Sequence, residues 1–282
     1  MVDVLVILDG ASEPSGASLA EADMPHLAEL ARSGEVTRLT TVPPGLEPGS
    51  ESAIPGLLGH TPSEPVDRAA IEAAAHGIVV PAGADAWRVD IRDAAGSRAG
   101  DDATDRAAAA LRTAGREVHR LRGHRLLVIG AEPDPSDGVV VWPRGAALPR
   151  VLDARTLVVG ARGAAVGIAA LLGADILVSD GATGDVDTDL HAKLDAARRG
   201  LGERRERVVV HVGGADEAAH RRDRAAKVAF LERVDAELLG LLAAAVAGAR
   251  GRLRICPDHG CDPATGLHDA EPVPHVSWAV AA

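Results

Sequence analysis

Six side chains of the kinds that hold metal ions follow strand-like runs in this chain. Asp9 closes the run at 4–9, Asp216 and His220 follow VVVHV at 208–212, Asp258 and His259 follow RLRIC at 252–256, and His268 stands in LHDAEPVP. In open α/β sheets ligands collect beyond the carboxyl ends of strands, so these groups can converge although they lie far apart in the chain. Asp216 and His220 are four apart, which on a helix places carboxylate and imidazole on one face. Asp258 and His259 are adjacent, which points them apart, toward two centres or toward a centre and its support. His268 is expected in a loop stiffened by Pro272 and Pro274. Taken singly, Asp9 reads equally well as a turn residue, Asp216 as a helix cap and His220 as a surface histidine. Taken together they favour a metal centre, and a mixed carboxylate and imidazole set suits Mn²⁺, Zn²⁺ or Fe²⁺ better than Ca²⁺ or Mg²⁺.

A candidate nucleophile completes the set. In PGSESAIPGLLGH (48–60), after the Pro/Gly-rich TVPPGLEPGS (41–50), Ser50 and Ser52 flank Glu51 at the expected start of a helix. Either serine could cap that helix or attack a substrate. Two metals plus a serine make a phosphoryl-transfer site, one ion lowering the serine pKa and the other holding phosphate oxygens.

The elements that must position these groups are short, continuously apolar runs at 4–9, 156–161, 175–180, 208–212 and 252–256, alternating with helical patterns. Continuous hydrophobicity marks strands covered on both faces, so the class is α/β with a mostly parallel sheet. DMPHLAELARSG predicts a helix capped by Asp23, with Pro25 in its first turn and Gly34 as its stop. Further helices are expected at 164–172, 190–201 and 225–249. From about 64 to 150 the rhythm is lost and Pro, Gly, Asp and Arg become dense. This predicts an inserted domain at 65–150 within a core of 1–64 and 151–282, its ends close together.

The chain has 282 residues, 46% of them hydrophobic, enough to bury a sizeable core. Thirty Lys and Arg against 41 Asp and Glu give a formal charge of −11, which argues against nucleic acid as a partner. Only Lys193 and Lys227 are lysines, read here as genome composition. MVDVLVILDG carries no signal-peptide pattern. The most apolar later stretch, 237–249, falls short of the roughly 20 residues that span a bilayer, so no membrane association is expected. Cys256 and Cys261 lack zinc-knuckle spacing and read as reduced, packed thiols of a cytoplasmic protein.

The segments DG (9–10), PGSESA (48–53), GATGDVDT (181–188), HVGGADEAAH (211–220), PDHG (257–260) and HDAEPVP (268–274), in this order and spacing, resemble the cofactor-independent phosphoglycerate mutases, in particular the archaeal-type branch, within the alkaline phosphatase superfamily. The inserted region matches more thinly, through 67–78 and Trp87-Arg88. The resemblance implies a three-layer α/β/α alkaline-phosphatase-like core with a small inserted α+β cap, and two divalent ions, Mn²⁺ ahead of Zn²⁺, Co²⁺ or Mg²⁺. It further implies that Ser50 takes the phosphoryl group and hands it back, that Asp9, Asp258 and His259 share the first ion with Ser50, and that Asp216, His220 and His268 hold the second. Arg68 and Arg88 would serve the phosphate and carboxylate of the substrate.

The departures are concentrated away from the metal set. The chain is shorter than typical members, mostly in the insertion. Glu51 replaces the usual aspartate, Pro55 is expected to interrupt the helix after Ser50, and Val166 replaces a basic residue, with Arg162 nearby. The expected activity is interconversion of 2-phosphoglycerate and 3-phosphoglycerate, or of a related phosphorylated or phosphonylated small acid. The alternatives are a metal-dependent phosphatase and a catalytically silent metabolite-binding member. A mutase must keep water from its phosphoserine, which a smaller cap makes harder.

Overall fold

In the computed structural model, which describes residues 1–136 and 138–280, the chain opens with β1 (Asp3–Leu8), α1 (Ala17–Glu21), α2 (Pro25–Ser33), β2 (Glu35–Leu39) and α3 (Ser50–Leu58). It continues through α4 (Arg68–His76), β3 (Ala86–Ile91), α5 (Asp101–Thr113), β4 (Glu117–Arg120), β5 (Arg125–Ile129) and β6 (Val139–Val141). Then come β7 (Thr156–Gly160), α6 (Ala164–Leu172), β8 (Asp175–Val178), α7 (Leu190–Gly202), β9 (Arg207–Val212), α8 (Gly214–His220) and α9 (Arg224–Val234). A π-helical turn (Asp235–Leu239) leads into α10 (Gly240–Gly248), followed by β10 (Arg252–Cys256), β11 (Gly260–Asp262), β12 (Leu267–Asp269) and β13 (Val273–Ala279).

Contacts divide the chain into two compact units, one built from Met1–Pro65 and the chain from Pro149 on, the other from Val66–Leu148. In the first, seven strands form one sheet in the order β2-β13-β10-β1-β9-β7-β8. β10, β1, β9, β7 and β8 run parallel to one another, and β13 pairs antiparallel with both β10 and β2. Side chains alternate across a strand, so β1 faces two ways. Val4, Val6 and Leu8 pack with Leu194 of α7, Phe230 of α9 and Leu242 of α10. Leu5 and Ile7 look the other way and are equally buried. There α6 packs on β7 and β8 and against α3. The fold is therefore mixed α/β around a large, mostly parallel sheet.

The second unit carries a four-stranded antiparallel sheet, order β4-β5-β3-β6, with α4 and α5 packed on it. Its core is small: Val89, Ala108, Leu126 and Val128 lie in one cluster, Ala69, Ala73 and Leu127 in another.

Several local expectations are corrected. Asp23 does not cap α2; the helix starts after Met24 with no side-chain cap, and the Asp235 carboxylate accepts from the His26 and Leu27 N–H groups instead, at 2.9 and 2.7 Å. A cap from a packed neighbour satisfies the same free donors. Pro55 does not interrupt the helix after Ser50: α3 carries it and runs on to Leu58. Burial of Ile54, Pro55 and Leu58 offsets the one donor that proline removes. His268 lies in β12 and not in a loop, and Pro274 sits inside β13, where only β2 is paired beside it.

Candidate metal centre

The spatial order β10-β1-β9 explains why residues so distant in sequence meet. These three neighbouring parallel strands deliver Asp258, Asp9 and Asp216 from their carboxyl ends to one place. Around His259 Nε2 stand Asp9 Oδ1 at 3.4 Å, Asp258 Oδ2 at 3.5 Å and Ser50 Oγ at 3.5 Å. Ser50 Oγ is also 3.5 Å from Asp9 Oδ1. Ser50 is the first residue of α3, so the positive end of the helix dipole lies at its hydroxyl.

A second cluster adjoins the first. Within α8, His220 Nε2 approaches Asp216 Oδ2 at 3.2 Å, as four-residue spacing requires. His268 Nε2 lies 3.1 Å from Asp216 Oδ1 and 2.9 Å from His220 Nε2. The His259 and His268 rings are 4.2 Å apart between centroids. Asp9, Asp216 and His259 also bring ligand atoms within 4.8 Å of one another, which joins the two clusters.

Three imidazoles share one arrangement. The Nδ1 atoms of His220, His259 and His268 face the carbonyls of Gly266, Gly260 and Pro48 at 2.9, 3.1 and 3.0 Å. A carbonyl only accepts, so each ring donates Nδ1–H outward and presents Nε2 inward, the orientation in which a neighbouring acceptor fixes a metal-binding histidine. The buried Asp258 Oδ2 has no hydrogen-bond partner among the described residues. A buried acceptor left in this state fits a bound cation.

Electrostatics argue the same way. Burial, with the Asp258 and Asp216 carboxylates close by, pushes Asp9 well above the usual carboxylate range. Burial also opposes ionisation of Asp216, but hydrogen bonds from His220 and His268 outweigh it and hold that carboxyl well below its usual range. His268 loses charge to burial and regains more from Asp216, ending at about 9. Without a cation this centre keeps a proton between imidazole and carboxylate, and a divalent ion would take its place.

The sequence reading missed four contributors. His211 places Nε2 3.2 Å from Asp9 Oδ2, and burial lowers its pKa to about 4. Cys261 groups with Asp216, His220 and His268. The two lysines are more than composition, since both are fully buried. Lys193 Nζ donates to the His211 carbonyl at 3.0 Å, and Lys227 Nζ bonds Glu13 Oε2 at 2.6 Å and the Cys261 carbonyl at 2.7 Å. Being the only lysines among 30 basic residues was the one signal that could have marked them.

In the unit Val66–Leu148, Arg68 stacks its guanidinium over Trp142 at 3.8 Å. Burial, then the nearby Arg88 charge, lowers Arg68 to about 10. Arg88 is only 8% exposed and is held by Glu72 and by Asp90, whose Oδ1 lies 2.7 Å from its Nε.

Clustered carboxylates and imidazoles at the carboxyl ends of a mostly parallel sheet define a metal-dependent enzyme of the α/β class. The chain belongs to the metalloenzyme superfamily, whose family model matches residues 1–280. It is 28% identical to a 2,3-bisphosphoglycerate-independent phosphoglycerate mutase of Methanopyrus kandleri, over 92% of this chain and 82% of that one. It is 26% identical to a phosphoglycerate mutase of the same kind from Archaeoglobus fulgidus, over 97% and 88%. The Methanopyrus alignment spans 346 positions, more than the length of this chain, so that relative carries segments with no counterpart here. A solved protein from Pyrococcus horikoshii shares the fold with a TM-score of 0.82 and 20% identity, over 99% of this chain and 87% of that one. Among the described residues no helix is long and apolar enough to cross a membrane.

Proposed function

We propose that this enzyme transfers a phosphoryl group through Ser50, interconverting 2-phosphoglycerate and 3-phosphoglycerate or isomers of a related phosphorylated small acid. The observation that carries this reading is the position of Ser50 Oγ, 3.5 Å from both Asp9 Oδ1 and His259 Nε2 and beside the Asp216, His220 and His268 cluster. Asp9, Asp258, His259 and Ser50 would hold one divalent ion and Asp216, His220 and His268 another. Such ions would lower the pKa of the serine hydroxyl and neutralise the phosphate oxygens. Ser50 supplies the attacking oxygen, and the dipole of α3 favours the phosphate it then carries. The hydroxyl proton leaves to solvent or to the departing oxygen of the acid. Return of the phosphoryl group to the other hydroxyl of the acid completes isomerisation. Of the two arginines expected to meet the acid, Arg68 is proposed for that role, while Arg88 is already held by the Glu72 and Asp90 carboxylates.

The second reading is hydrolysis, because water that reaches the phosphoserine releases the phosphate. One assay separates the two. With Mn²⁺, Zn²⁺ and Co²⁺ supplied singly and in pairs, 3-phosphoglycerate giving 2-phosphoglycerate without free phosphate supports the mutase. Free phosphate alone would support the phosphatase, and neither product from a panel of phosphorylated three-carbon acids would exclude both.

A further inference from the structure

The hairpin β11/β12 places Cys261 directly opposite His268. Directly opposed residues of an antiparallel pair project to the same face, so the thiol and the imidazole look into the same space. The ligand atoms of Cys261, Asp216, His220 and His268 all lie within 4.8 Å of one another. Cys261 is fully buried, and its backbone is pinned on both sides: its N–H donates to the Ser12 carbonyl at 2.8 Å, and its carbonyl accepts from Lys227 Nζ at 2.7 Å. Lys227 is in turn locked to Glu13 at 2.6 Å. This is a thiol held in place by a buried ion pair. Cys256, equally buried on β10, belongs to no such group among the described residues.

We propose that Cys261 is the fourth protein ligand of the second ion, giving that centre one carboxylate oxygen, two imidazole nitrogens and one thiolate sulfur. The inference rests on the second ion being held by Asp216, His220 and His268. On binding, the S–H bond breaks, the sulfur donates its electron pair to the cation, and the proton leaves to solvent. A thiolate selects soft cations, so this centre takes Zn²⁺ or Co²⁺ in preference to Mn²⁺ or Mg²⁺. The neighbouring set of Asp9, Asp258, Ser50 and His259 is richer in oxygen and suits harder ions. The two centres are thus unlike in their choice of metal.

Titration of the metal-free protein with Co²⁺, followed by absorption, tests this. The native chain should show visible d–d bands together with a near-ultraviolet thiolate-to-cobalt charge-transfer band. Cys256→Ser should keep that band, while Cys261→Ser and Cys261→Ala should lose it and keep d–d absorption. Zn²⁺ affinity of both Cys261 variants should fall about 10- to 100-fold, the scale on which disturbed metal sites respond, with Mn²⁺ affinity changed far less. Co²⁺ uptake without the charge-transfer band, or a band untouched in the Cys261 variants, would overturn the sulfur ligand and leave the two-ion reading standing. No uptake of Co²⁺ by the native chain would overturn both.

Discussion

Gly10 leaves open the space that the Asp216 carboxylate fills. A Cβ at position 10 would stand 2.6 Å from Asp216 Oδ1, and the Gly10 backbone has φ +61°, in the left-handed region. The residue after Asp9 thus permits both a tight exit from β1 and the approach of α8. Gly10→Ala is expected to cost about 1–2 kcal/mol in backbone strain and to displace Asp216 besides. Gly16→Ala, with φ +65° and nothing within 4 Å, carries the strain alone. Metal content and denaturant unfolding should separate them: both variants lose stability, and only Gly10→Ala loses bound metal.

Ser50→Ala should abolish turnover and leave the fold intact. Ser52 Oγ donates to the Glu47 carbonyl at 2.7 Å, away from the nucleophile, so Ser52→Ala should cost about 1 kcal/mol of stability and little activity. Mass spectrometry after brief exposure to substrate should find phosphate on Ser50. Equal loss of activity in both variants would reassign the nucleophile.

His268→Ala removes an imidazole that faces both Asp216 and His220. The second ion should then wash out on dialysis while the first is retained. Unchanged metal content in this variant would count against the ligand role of His268.

The unit Val66–Leu148 should loosen in acid. Burial alone would raise Asp90, but hydrogen bonds from His124 and Arg88 hold it well below its ordinary 3.8. A depressed carboxyl contributes stability above 3.8 that is lost as pH falls below it. Burial lowers His124 from 6.5 despite Asp90, so its protonation favours the unfolded chain and adds a loss beginning below 6.5. Denaturant unfolding at several pH values, read by the fluorescence of Trp87 and Trp142, should show this acid limb. Asp90→Asn should remove the part of this limb below 3.8, keep the part that begins below 6.5, and cost about 3 kcal/mol at neutral pH, since Arg88 and His124 lose a buried partner.

What the sequence disclosed follows from local physics. The inner strands carry apolar side chains on both faces and were legible as continuous runs. β2, EVTRL, is mostly exposed and gives no such signal, and β13 contains a proline, so both antiparallel strands were missed. The ligand types stood in plain view at strand ends, but their convergence depends on the order β10-β1-β9, which no local pattern records. His211 looked like one more residue of β9; it lies between Val210 and Val212, which face the core, and therefore points the other way. The partner of Cys261 is set by a cross-strand pairing, and the cap of α2 comes from Asp235, 209 residues from His26. Such long-range choices belong to packing and not to propensity.

Because Lys193 and Lys227 are fully buried, the folded chain offers amine-directed reagents no lysine side chain to attack. Lysine acylation in native buffer therefore counts molecules that have opened. The two sites report on different places: Lys193 on the backbone of His211 behind Asp9, and Lys227 on the backbone of Cys261 behind Asp216. Peptide mapping of the acylated lysines would reveal which side of the centre breathes first, and whether added metal closes it.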